Sequence, residues 1–144
     1  MSVPAESIEV CFAKADQIND EKIPYVYGGG QNFVPSATAA SKGLKGYDCR
    51  GAACAVLHAA GLIASVEDTE ELAGWGDAGE GQYMTLWVAN YPTLHHCALE
   101  FRLPEHPGKR WWMAAHQGTL VGWVPNLPDN WVLTPFLFAP RRRA

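Results

Sequence analysis

A cysteine stands where a glycine-rich loop gives way to a helix, and that junction constrains the chain more than any other feature. In Tyr47-Asp48-Cys49-Arg50-Gly51, Asp48 has the short acceptor side chain that caps a helix start. Ala52, Ala53, Val56, Leu57 and Ala60 then recur at helical spacing until Gly61 offers a stop. The N–H groups of a first helical turn have no partner inside the helix and carry partial positive charge, which favours thiolate over thiol. Cys49 is therefore the candidate nucleophile. It shares a stripe with Ala53, Val56 and Ala60, so its sulfur is expected to point at the layer packed beneath the helix. The same placement also fits a buried, inert cysteine.

The chain's 144 residues suffice for one domain with a real core and are too few for two ordinary ones, so a single domain over 1–144 is expected. Hydrophobic residues make up 48% of it, including six tryptophans, which excludes a disordered chain. A formal charge of −4 with scattered basic residues argues against a nucleic-acid partner. Arg141-Arg142-Arg143 reads as a solvated tail. No segment approaches the ~20 apolar residues that cross a bilayer, and no basic n-region precedes an apolar run. Neither membrane insertion nor a classical signal peptide is expected. The four cysteines show no C-x-x-C spacing, so they suggest neither zinc nor a disulfide scaffold. Cys11, Cys54 and Cys97 read as small core hydrophobes, with a remote disulfide left open.

Residues 7–18 place Ile8, Cys11, Phe12, Ala15 and Ile18 at a period near 3.6, the pattern of an amphipathic helix. Pro24 leads an extended segment into Tyr25-Val26-Tyr27-Gly28-Gly29-Gly30. Residues 31–46 then form a long irregular stretch, a candidate wall for a substrate cleft. Residues 65–72 read as a short helix or turn, and Gly74, Gly76, Gly79 and Gly81 break regular structure. Strands are expected over 83–88, 96–103, 111–116 and 120–124, with hairpin connections at 104–108 and 117–118 and a last edge strand over 131–138. Helices first and an antiparallel meander afterwards predict an α+β fold with N-terminal helices packed on one face of an antiparallel sheet.

Tyr25-Val26-Tyr27-Gly28-Gly29, Tyr47-Asp48-Cys49-x-Gly51, a helix ending Ala60-Gly61-Leu62 and a later strand starting with His together resemble the NlpC-type family of cell-wall cysteine peptidases. The resemblance spans about residues 24–118. Trp75-Gly76-Asp77-Ala78-Gly79-Glu80-Gly81-Gln82 is similar to a stretch in versions from phages and high-GC bacteria. The resemblance implies a papain-like core with Cys49 as nucleophile, a His base at the head of the strand containing Cys97, and a polar orienter on the next strand. His96 is preferred to His95 as base, since alternation puts Cys97, Leu99 and Phe101 on one face and His96, Ala98 and Glu100 on the other. His116 is the expected orienter, its other reading being a partly buried strand histidine. Tyr25 matches the family's first tyrosine and is either a hydroxyl donor to the oxyanion or a packing aromatic. His58 and His106 are expected to face solvent. Arg50 departs from the family's usual Ser, and its cation is expected to lower the thiol pKa further or to select an acidic substrate group.

The implied activity is hydrolysis of peptidoglycan stem peptides next to D-glutamate, with no metal and no cofactor. Such an enzyme would be made in the cytoplasm and reach the wall through phage lysis or specialised secretion, in the latter case with an immunity protein as partner. Two other readings stay open. One is a papain-like amidase or acyltransferase, for which Trp111, Trp112 and the 123–131 region would form an apolar lip. The other is a catalytically silent glycopeptide-binding module.

Overall fold

The computed structural model describes residues 4–66, 77–78, 81–89, 96–107, 109–112, 120–124 and 141–142. The first helix, α1, runs Ala5–Asp20 and buries Ile8, Cys11, Phe12, Ala15 and Ile18, the stripe its periodicity predicts. The second, α2, runs Cys49–Ala59 and is buried along nearly its whole length, as its run of small and branched apolar residues allows. Between them, the irregular 31–46 segment holds two short 3₁₀ turns, Gln31–Phe33 and Ala39–Ser41.

Among the described residues the strands are β1 (Asp77–Ala78), β2 (Met84–Ala89), β3 (His96–Phe101), β4 (Arg110–Trp112), β5 (Gly122–Val124) and β6 (Arg141–Arg142). They form one antiparallel sheet in the order β1-β6-β2-β3-β4-β5. Register fixes the faces. Met84 lies opposite Phe101 and Leu86 opposite Leu99, and these four side chains join Cys97 in the core beneath the helices. The other face of β2 and β3 carries Thr85, Trp87 and Glu100. Glu100 is buried, and its charge is met by Arg102 Nη2 and Trp87 Nε1, each donating at 3.0 Å.

Two readings of the sequence are corrected here. Arg141 and Arg142 are not a solvated tail in their backbone: they pair with β1 on one side and β2 on the other. The glycine-punctuated 74–81 stretch likewise contains a short strand, Asp77–Ala78, whose partner lies some sixty residues away and is invisible to local pattern. Of the expected 104–108 hairpin connection, residues 104–107 form turns and a bend between antiparallel β3 and β4, and residue 108 lies outside the described residues. The 131–138 strand, the 117–118 connection and most of 65–72 lie outside the described residues. No helix among the described residues is long and apolar enough to cross a membrane.

α1 is fastened to β5 by polar contacts as well as packing. Asn19 Oδ1 accepts the Trp123 backbone N–H at 3.0 Å, and Asp16 Oδ1 accepts Trp123 Nε1–H at 2.8 Å. The Trp123 ring lies against Phe12 (5.1 Å between centroids), so this tryptophan serves the core and not an apolar lip. His106 stacks on Phe12 at 4.0 Å and is half-buried, contrary to its expected solvent-facing position. Replacing Asn19 by Ala removes the acceptor for a strand N–H. Asn19→Ala is expected to lose about 1–2 kcal/mol in urea unfolding, and a stability equal to wild type would show that the α1–β5 clamp contributes nothing.

Candidate functional site

The head of α2 is held by one carboxylate. Asp48 is the N-cap: its Oδ1 accepts the Gly51 N–H at 2.7 Å, while Oδ2 accepts the Gly28 N–H at 3.1 Å. The same side chain therefore starts the helix and clamps the glycine-rich turn over it. The turn approaches so closely that a Cβ at Gly51 would collide with the Gly29 carbonyl, and one at Gly29 with the Gly46 carbonyl. Backbone pairing completes the junction. Val26 N–H donates to Tyr47 at 3.0 Å, Asp48 N–H donates to Gly29 at 3.2 Å, and Tyr25 forms a parallel bridge with Tyr47. Burial raises the Asp48 pKa, against which the Gly51 N–H, Arg50 and the Gly28 N–H act.

This junction delivers Cys49 to the sheet. Cys49 is 5% exposed, so its sulfur sits in the packed layer beneath the helix, as its stripe predicts. It is nevertheless no ordinary core thiol. Its pKa is lowered, first by a hydrogen bond donated by the Cys97 thiol, and further by the Cys97 and Arg50 backbone N–H groups; burial and the Asp48 charge oppose them. Cys97, fully buried on β3, has its own pKa raised well above the usual thiol range, because its proton is held on the Cys49 sulfur and burial disfavours its charge. Cys11, which lacks this setting, is pushed up to about 12 by burial alone. Cys97 was read from sequence only as a small core hydrophobe. The signal that could have found its role is its parity: it shares a strand face with Leu99 and Phe101, the face α2 covers.

Tyr25 is buried beside the sulfur. Burial, and then negative charge on Cys49, hold its phenol protonated far above the usual range. It also lines a cavity of about 400 Å³, with Val26, Tyr27, Gly28, Thr38 and Leu44. The irregular 31–46 segment thus walls an apolar recess that reaches the residue next to the thiol. Arg50 turns its guanidinium to Asp48, with Nε 3.4 Å from Oδ2. What Arg50 gives the sulfur is its backbone N–H, not its cation as expected. His58 is exposed, and its ring stacks on Phe33 at 3.8 Å.

His96 opens β3 opposite Ala89, one residue from Cys97. His95 and His116 lie outside the described residues. Among the described residues, no group of three or more His, Cys, Asp and Glu is gathered to hold a metal ion. The described surroundings of Cys49 therefore comprise an N-terminal helical turn, a thiol donor, a strand N–H and a tyrosine, a set suited to holding negative charge on sulfur. Asp48→Ala orphans the buried Gly51 N–H and the part-buried Gly28 N–H and is expected to cost about 1–3 kcal/mol, measured by denaturant unfolding, with Asp48→Asn costing less because one acceptor survives. Equal loss for both variants would show that the charge, and not the cap, holds the junction.

No family profile and no curated protein matches the sequence. Solved structures do share its architecture. The P60 domain of a Mycobacterium avium paratuberculosis antigen superposes with a TM-score of 0.72 at 14% identity, over 96% of this chain and 94% of that one. RipD of Mycobacterium tuberculosis, described as a non-catalytic NlpC/p60 domain protein adapted to peptidoglycan binding, gives 0.66 at 16% identity over 93% of each chain. A hypothetical invasion protein of Mycobacterium tuberculosis gives 0.67 at 17% identity over 86% of this chain; the match spans only 58% of that longer chain.

Proposed function

We propose that this chain, whose fold is that of the papain-like NlpC/P60 cell-wall proteins, is a peptidoglycan hydrolase that cleaves stem-peptide amide bonds, next to D-glutamate, with Cys49 as nucleophile. One arrangement carries the reading: a cysteine in the first turn of the Asp48-capped α2, packed in the core against the strand that position 96 opens and next to the Tyr25-lined recess, with its pKa lowered despite near-complete burial. A fold alone does not distinguish a hydrolase from a binding module. A thiol merely filling the core has no need of donors, and burial would push it up, as it does Cys11.

In this reading the Cys49 thiolate attacks the peptide carbonyl, and the developing oxyanion is met by the Cys49 N–H and the Tyr25 hydroxyl. A protonated Tyr25 is what that role requires. His96 passes a proton to the leaving amine and then draws one from the water that clears the thioester, while His116 fixes its tautomer. Alternation along β3 gives position 96 the parity of Ala98 and Glu100, and position 97 the side that meets Cys49. His95→Ala is therefore the necessary companion to His96→Ala. The apolar recess beside Tyr25 is where the uncharged part of the stem peptide would lie. Action on the wall implies delivery by phage lysis or specialised secretion, with an immunity protein as partner in the second case.

The test is digestion of purified peptidoglycan followed by mass analysis of released fragments. Wild type is expected to release stem-peptide fragments and Cys49→Ala none, with His96→Ala slower by about 10²–10⁴-fold. A large loss in His95→Ala with His96→Ala near normal would move the base by one residue. Intact sacculi with wild type would instead sink the hydrolase and leave the binding role described for RipD.

A further inference from the structure

Arg50 stands where a helix does not favour it. It is the second residue of α2, at the end whose unpaired N–H groups carry partial positive charge, and beyond the Asp48 cap the first turn holds no acidic residue. A cation there is repelled by its own helix. Asp48 accounts for only part of the side chain: Nε reaches Oδ2 at 3.4 Å, a long contact, and that oxygen already accepts the Gly28 N–H at 3.1 Å. The terminal nitrogens Nη1 and Nη2 make no hydrogen bond or ion pair among the described residues. With 27% of its side-chain surface exposed, Arg50 is open to a solute.

Its surroundings define the chemistry of that solute. Gly28 lines the apolar recess together with Tyr25, Val26 and Leu44, so Asp48 Oδ2 joins the cation and the recess at one atom. Cys49 adjoins Arg50 in the chain. Nucleophile, recess and cation are thus gathered around a single carboxylate. No charged side chain lines the recess, whereas the guanidinium presents two parallel N–H donors, the geometry that a carboxylate accepts with both oxygens. A ligand with an aliphatic stretch and a carboxylate close to the attacked amide matches both halves.

We propose that Arg50 is the specificity-determining residue of the site, holding the free α-carboxylate of the glutamyl residue beside the scissile bond. The assignment rests on the hydrolase reading, since it names the substrate group that the same site would select. A glutamyl residue joined through its side chain keeps its α-carboxylate free, with an aliphatic arm between that acid and the amide carbonyl. Changing the acid to a carboxamide removes the charge and turns one acceptor into a donor that faces the donors of the guanidinium. The site therefore discriminates against amidated stem peptides. Because Arg50 is partly exposed, water screens it, and the preference is expected at about tenfold, the low end for a hydrogen bond to a charged group.

The experiment compares two synthetic stem peptides that differ only at this position, one with the glutamyl α-carboxylate and one with the α-carboxamide. Wild type is expected to cleave the acid with a kcat/KM about tenfold higher, carried mostly by KM and narrowing as salt is raised. In Arg50→Gln the ratio should fall to near one, and in Arg50→Lys, which keeps the charge and loses the fork, to an intermediate value. The ratio cancels a general loss of activity. A variant in which both rates fall together while the wild-type ratio persists would overturn the proposal, as would equal cleavage of the two peptides by wild type. Binding of both peptides to Cys49→Ala, with and without Arg50→Gln, separates this proposal from the hydrolase reading. If wild type cleaves neither peptide, tighter binding of the acid that disappears with Arg50→Gln would sink the hydrolase and leave Arg50 as the acid-selecting residue of a binding module. Equal or undetectable binding in a chain that cleaves neither would overturn both.

Discussion

The Asp48 carboxylate carries two tasks at once. With one oxygen it accepts the Gly51 N–H and starts α2; with the other it accepts the Gly28 N–H and holds the glycine-rich turn against that start. Burial raises its pKa, and the N–H groups and Arg50 act against that rise. Hydrogen bonds to a charged acceptor contribute about 1.5–3 kcal/mol each, so this one side chain anchors the junction of two segments that are twenty residues apart. Cys49 follows directly in the chain, and its position relative to β3 and Tyr25 is a consequence of that clamp.

The chemistry at the sulfur is a balance of opposing effects. Burial and the Asp48 charge disfavour a thiolate, while the Cys97 thiol, the Cys97 N–H and the Arg50 N–H favour it. The direction of the outcome shows that the donors prevail. Cys11, buried on α1 without such donors, shows what burial does when unopposed. Tyr25 belongs to the same balance, since charge on Cys49 helps to keep its hydroxyl protonated. Sulfur, phenol and the recess walled by the 31–46 segment are thereby arranged in sequence from the core outward.

Much of this was legible in the residues. Ile8, Cys11, Phe12, Ala15 and Ile18 announce α1 because an amphipathic helix writes its buried face at a fixed period. Asp48 and the apolar run after it announce α2, and alternation around Leu99 announces β3. Contacts between distant segments were not legible. Arg141 and Arg142 look like a tail until their backbone pairs with β1 and β2. His106 looks like a loop residue until α1 offers it Phe12. The meeting of Cys97 with Cys49 depends on how α2 seats on β3, and no local pattern encodes it. The histidines of the proposed mechanism are a different matter: His96 is placed in the backbone register of β3, while His116, outside the described residues, rests on resemblance alone.

The central claim is that the fold lowers the pKa of the Cys49 thiol below that of an ordinary cysteine. It is tested most directly by titrating the ultraviolet absorbance of thiolate in the wild-type protein and in Cys49→Ser. The account predicts one thiolate appearing below the ordinary thiol range in wild type and missing from Cys49→Ser, with the other cysteines silent until much higher pH. A first ionisation at or above the ordinary thiol value, or a low one that persists in Cys49→Ser, would contradict it.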